Sequence, residues 1–389
     1  MDYISRLLSF IPDKDLELFA LDTQVNKFSK KLQGDLLFKL LFYCLVTEKE
    51  NSLRGMQSAL ESSLFRAISN SGSTLSIAHS SISERLNTVK YQYFERIFSH
   101  CISAYKSSSV IVSKEIVRFD STIVSLSSSL LGIGYNLKGG DAEKYRLLKF
   151  TIGYSDVPDC ICFYTGQTYN SENVALTQAI IPNQTSKEQI NVFDRGITSR
   201  SNYDALTDKN ILFISRIDPV AKHTVYKENE LKALINTYTL TVVSDSWVYL
   251  YTMNKKRSTH PVRIIKAVKK SDGEAIAFIT NIKKMKAKEI TEIYRSRWQI
   301  EIFFKFIKQH LNFSHLLNRT ENGIKVVMYV TMTAAILLAH YKKDKELKGY
   351  KIAKRKFAQD LERDIIYNIV LMCNGDAEKA KQILYQNTS

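Results

Sequence analysis

The hydrophobic period changes twice along this chain, and each change limits what can fold beside what. Up to about residue 105 apolar residues recur at helical spacing, as in Leu36, Leu37, Leu40, Leu41 and Cys44. From about 111 the spacing is that of short strands, and from about 290 helical spacing returns. Strands and helices bury apolar surface in different layers, so an α/β chain with helical regions at both ends is expected.

The strand-rich stretch can be read further. Residues 111–119 are rich in β-branched side chains and run into Asp120, and 121–126 follow. Two more strands, 147–154 and 160–164, flank a turn at 156–159. Residues 172–180 and 202–206 have helical spacing, and 211–214 reads as a strand. Residues 190–193 form a short apolar strand ending at Asp194, with Arg195 and Gly196 just after. Strands followed by strand–helix–strand units predict a sheet with a parallel portion. Residues 218–280 differ: strands are expected over 238–243, 248–251, 262–265 and 275–279, with no helix of ordinary length between them. Residues 290–311 read as one long amphipathic helix, followed by an apolar helix at 324–341.

Composition removes several classes. At 389 residues and 44% hydrophobic, the chain can bury a large core and is expected to form two or three domains. Five cysteines, odd in number and scattered, disfavour a disulfide scaffold. Cys160 and Cys162 share one face of a strand and read as buried free thiols. The start, Met-Asp-Tyr-Ile, lacks a secretory signal, and the uncharged run at 326–341 is short for a membrane span. A reduced, cytoplasmic protein is the expectation. The net charge of +16 suggests a polyanionic partner, nucleic acid or an anionic membrane, unless the chain is merely basic. Residues 254–270 hold Lys255, Lys256, Arg257, Arg263, Lys266, Lys269 and Lys270 and no acid. In the N-terminal region, 76–86 reads as a turn feeding a short helix. Its face of Ser80, Ser83 and Arg85 suits a DNA groove, as in a helix-turn-helix, or ordinary solvent.

The chemistry gathers at few positions. Asp120 and Asp194 follow short apolar strands, where ligands collect in α/β sheets, although such residues are more often turn or capping groups. Two carboxylates held close need a cation, and hard oxygen ligands select Mg²⁺ or Mn²⁺. The long helix carries Tyr294, Arg297, Glu301 and Lys308, which at about 100° per residue fall within one arc of about 60°. Ile300, Phe303, Phe304 and Ile307 supply its packing side. A solvated stripe with an ordinary Arg297–Glu301 pair is the plainer alternative.

The spacing Tyr294-x2-Arg297-x3-Glu301-x6-Lys308 resembles the Tyr-Arg-Glu-Lys signature of bacterial insertion-sequence transposases, the DDE transposases of the insertion-sequence-four family. Asp194-Arg-Gly196 resembles the motif around their second Asp, and Asp120-Ser-Thr122 that around their first. The three motifs, in order, cover about 110–320. Two departures are Ile197, where an aromatic is frequent, and the Ser-rich 125–129. The resemblance implies an RNase H-like catalytic core with Asp120, Asp194 and Glu301 as catalytic and metal-binding triad, served by Mg²⁺ or Mn²⁺. It implies a core at 111–217 and 281–344, interrupted by a β-rich insertion at 218–280. A helical DNA-end-binding domain at 1–110 and a helical C-terminal region at 345–389, suited to dimerisation, complete the expected domains. Tyr294, Arg297 and Lys308 would bind phosphates. Family members with the insertion can stack a tryptophan from it on a flipped base; Trp247 is the candidate here, with a packed sheet residue as the open alternative. Trp298 is assigned to the core.

The expected activity is therefore cleavage at element ends and joining of the 3′-OH to target DNA, probing double-stranded DNA as a homodimer in a synaptic complex, with a hairpin intermediate and no membrane role. The site of action would be the bacterial cytoplasm, at the nucleoid. A repurposed transposase that only binds DNA, and an RNase H-like nuclease without strand transfer, are the alternatives.

Overall fold

The computed structural model describes residues 11–47, 52–69, 76–108, 115–127, 134, 145–231, 234–252, 254–313, 317–318 and 320–385. The expected strand start at 111–114, the pattern break at 70–72 and the Ser-rich residues 128–129 lie outside them. The chain forms two compact units, 112–304 and 1–111 with 305–389.

The sheet unit opens with β1 (Ile116–Ser127), β2 (Tyr145–Tyr154) and β3 (Pro158–Tyr164), an antiparallel meander. Helix α1 (Glu172–Ile180) leads to β4 (Ile190–Phe193), and α2 (Arg200–Asp208) leads to β5 (Leu212–Ile217). β4 pairs parallel with β1 on one side and with β5 on the other. The resulting order, β3-β2-β1-β4-β5, is that of an RNase H-like core. β6 (His223–Glu228), β7 (Ile235–Asn236), β8 (Leu240–Leu250), β9 (Val262–Lys269) and β10 (Ala275–Thr280) follow. β10 pairs antiparallel with β5, so the strands of 218–280 extend the same sheet to ten strands.

Alternation along the strands separates two apolar layers. In β4, Ile190 and Val192 join Ile265, Phe278 and Ile290 on one face, whereas Phe193 joins Phe119, Leu176 and Phe213 on the other. Residues fully buried on both faces are what a central parallel strand requires, and all four β4 residues are buried.

The expected single helix at 290–311 is instead two, α3 (Ala287–Arg295) and α4 (Trp298–His310). A buried arginine on β1 sits at the break. Arg118 donates from Nε to the Ser296 carbonyl at 2.8 Å and from Nη2 to its hydroxyl at 2.9 Å. That carbonyl bonds the guanidinium, and the helix breaks there. Ile300, Phe303, Phe304 and Ile307 are buried as expected, with Phe303 stacked on Tyr154 at 4.8 Å. Trp298 departs from its expected core place: it is 63% exposed. It lies on the stripe of Ile302, Lys305 and Gln309, all exposed, opposite the packing side.

The other unit is helical: α5 (Asp13–Thr23), α6 (Gly34–Thr47), α7 (Leu53–Glu61), α8 (Ser63–Ser69), α9 (His79–Thr88) and α10 (Tyr91–Ser108), then α11 (Glu321–Asp344), α12 (Tyr350–Met372) and α13 (Ala377–Tyr385). α11 contains the uncharged run. Among the described residues it is the one helix long and apolar enough to cross a membrane, and 83% of its apolar window is buried inside the protein. α11 packs against α6, α9, α10 and α12, with Tyr329 donating to Glu95 at 2.7 Å and Tyr341 to Asp360 at 2.6 Å.

Candidate active site

Strand register brings the two aspartates together. Phe119 of β1 lies opposite Phe193 of β4, so Asp120 and Asp194 each come one residue later, on neighbouring strands. Asp120 does not end its strand, as the sequence suggested, but lies within β1, opposite Ile152 of β2. Its Oδ1 accepts the Ser121 amide at 2.8 Å. The same register continues to β5: Phe193 lies opposite Ser215, so Arg216 falls beside Asp194. Sequence reasoning did not single out Arg216. Its Nε is buried, with no hydrogen-bond partner among the described residues.

The helix break aims the signature residues at this row. Tyr294, at the end of α3, donates its hydroxyl to Asp194 Oδ1 at 2.8 Å. Arg297, in the break, reaches Asp120 Oδ2 at 3.4 Å and pairs with Glu301 one turn on. Asp120, Asp194, Glu301, Tyr294 and Arg297 are therefore one connected group. Lys308, half-buried, lies on the part of α4 that folds with the helical unit. Trp247 stands on β8 in register with Lys227 of β6 and Arg263 of β9, remote in sequence from this group. Val248 and Leu250 turn into the core layer, so alternation points Trp247 to the other face, half-buried.

The charges are uneven. Burial pushes Asp120 up to about 6, with Glu172 and Asp194 adding to the rise against the Ser121 amide and Arg297. Burial works the same way on Asp194, but the Arg195 amide, the Tyr294 hydroxyl and Arg297 together hold it below its ordinary value. Burial, then Asp194, raises Tyr294, so its hydroxyl stays protonated and acts as a donor. Among the described residues no three His, Cys, Asp or Glu side chains converge on one point. The cation shared by Asp120 and Glu301 is the Arg297 guanidinium. These carboxylates thus already hold one positive charge between them, and an all-oxygen donor set suits a hard divalent ion that takes it over.

A supporting network lies behind Asp120. Lys149 of β2, 1% exposed, pairs with Glu172 at 2.8 Å. The other Glu172 oxygen accepts the Ser121 hydroxyl at 2.9 Å. Gly196 lets this helix start approach the Asp194 turn: a Cβ there would come within 2.9 Å of the Glu172 Cβ.

Residues 113–338 match the family described as the transposase DDE domain. The chain belongs to that family. It is 27% identical over 197 residues to y4zB of Sinorhizobium fredii, named as a transposase, covering 50% of this chain and 53% of that one. It is 24% identical to a Geobacillus stearothermophilus protein named for insertion sequence element IS5377, covering 67% and 66%, and 25% identical to one of Synechocystis named for element IS4SA, covering 58% and 59%. The matches thus span about half to two thirds of these relatives. Among solved structures, the piggyBac transposase synaptic complex with hairpin DNA superposes with a TM-score of 0.50 at 9% identity, over 99% of this chain and 84% of that one, a likeness of fold. For a DDE transposase domain, a divalent-metal requirement follows from the family.

Proposed function

We propose that the chain is a DNA transposase that cleaves at insertion-sequence ends and joins the freed 3′-OH to target DNA. The observation carrying this is the linkage of Asp120 and Glu301 through Arg297, with Asp194 one residue past β4 on the neighbouring strand. Asp120, Asp194 and Glu301 would hold the metal. When bound, a pair of Mg²⁺ or Mn²⁺ ions supplies activation of the attacking oxygen and stabilisation of the leaving oxygen of an in-line displacement. Displaced from its carboxylates, Arg297 is placed to take a phosphate in bidentate fashion, and Arg216 offers a second guanidinium beside Asp194. The family signature carries Lys308 over as a further phosphate contact. Tyr294, held protonated, donates a hydrogen bond and is not a nucleophile. The family resemblance adds the finer reading: cut-and-paste transposition through a hairpin intermediate, by a homodimer bringing two ends together.

The deciding experiment incubates purified protein with a duplex bearing the element's ends, a plasmid target and Mg²⁺. Nicking at the end and joining to the plasmid are expected. Binding without cleavage in either Mg²⁺ or Mn²⁺ supports a binding protein instead, and cleavage without joining a nuclease.

Two further outcomes follow from the site. Because Asp120 gains its proton as pH falls through about 6, that proton competes with a cation. Calorimetric Mn²⁺ affinity without DNA should fall about tenfold per pH unit below this value and level off above it; an affinity constant down to strongly acid pH would contradict the assignment. For Trp247→Ala, end processing should slow about tenfold with near-normal binding, the size of a lost base stack. An unchanged rate would return Trp247 to the sheet.

A further inference from the structure

In the helical unit, the connection between α5 and α6 is a built loop carrying an unusual surface. Arg85 of α9 ties its two ends, donating from Nη2 to the Val25 carbonyl at 2.8 Å and from Nε to the Leu32 carbonyl at 3.0 Å. Val25 and Leu32 are buried. Asn26 accepts the Gly34 amide at 2.7 Å, and Ser29 donates to the Leu32 carbonyl at 2.7 Å. The sequence offered Arg85 to a DNA groove; the fold spends it on holding this loop.

Between the tied ends, Lys27, Phe28, Lys30 and Lys31 all face solvent. Phe28 is 89% exposed, with the Lys27 ammonium 5.6 Å from its ring centre. Loop and α9 border a cleft of about 800 Å³, to which Lys90 adds a fourth lysine and, among the described residues, Glu84 the one carboxylate. Lysines around an exposed ring, on a loop fixed before any partner arrives, suit a phosphate backbone beside a stacking or wedging side chain. A concave cleft meets a ridged polyanion along its walls, whereas a flat bilayer would reach only the Phe28 tip.

We infer that this loop is a duplex-DNA contact of the helical unit, with Lys27, Lys30 and Lys31 on phosphates and Phe28 against the bases or sugars. The inference rests on the reading of the chain as a DNA transposase. The test is fluorescence anisotropy of the full chain with a labelled mixed-sequence duplex across a salt series. The K27A/K30A/K31A variant should lose about two to three units of salt slope and about tenfold or more in affinity. Phe28→Ala should weaken binding with the slope kept. All four side chains are exposed, so melting temperatures should hold. If the wild type binds duplex and the triple variant matches it in slope and affinity, the loop assignment fails alone. A wild type that binds no duplex overturns the transposase reading with it. Wild-type binding to phosphatidylserine vesicles that Phe28→Ala abolishes, with duplex binding untouched, would replace DNA by a membrane.

Discussion

Alanine in place of Asp120, Asp194 or Glu301 is expected to abolish strand cleavage and joining while leaving DNA binding and folding in place. The carboxylates are shared supports for charge, so losing one removes several kcal/mol of stabilisation from the reacting phosphate, about a thousandfold in rate. Folding should survive because the Asp120 and Glu301 side chains are each about a third exposed and can be replaced without leaving a deeply buried orphan. Glu301→Ala is the most informative of the three. It frees Arg297 from its nearer partner, so duplex binding should hold or tighten as cleavage disappears. Gel assays of nicking and joining, beside anisotropy for binding and a thermal melt for folding, separate the three readouts. Full activity in Glu301→Ala would mean that the triad is misplaced.

The grouping of the candidate residues was legible where local sequence determines it. A short apolar strand followed by an aspartate marks Asp194, because a buried strand end leaves little else to read. Asp120 joins the group too, although its strand continues for seven residues past it. Spacing found Tyr294, Arg297 and Glu301 from the premise of one helix, and the premise fails at Ser296. Arg118, which holds Ser296 at the break, stands 178 positions away, and no window of sequence contains both. Arg216 was missed for the same kind of reason: its place beside Asp194 is a matter of register between β4 and β5, which emerges only once the strands pair. Trp298 was placed inside because large apolar side chains usually are, yet a helix has one packing side and Ile300, Phe303 and Ile307 fill it. Charge was the least readable property. Arg85 and Arg263 counted as surface cations in the sequence, and the fold gives both to internal partners.

Arg263 supplies the other large expected effect. It lies on β9 opposite Trp247, and its side chain is 6% exposed against 3% for Asp245 of β8. Asp245 Oδ1 accepts from Arg263 Nε at 2.8 Å and from Asn229 at 2.8 Å, and Arg263 also donates to the Met285 carbonyl. Desolvating both ions offsets much of their attraction, so the pair contributes little net stability, but removing one partner strands the other. Asp245→Ala should therefore destabilise the protein by about 3–5 kcal/mol in urea unfolding. The double replacement D245L/R263M, which removes both charges and fills the space, should recover most of that loss. DNA binding discriminates further. A phosphate-contacting arginine would take about one unit of salt slope with it, whereas a buried strut takes none once its counter-charge has gone as well. An unchanged slope in the folded double variant would leave the other cations of residues 254–270 as the candidates for DNA contact there, whereas a lost unit would put Arg263 on the DNA.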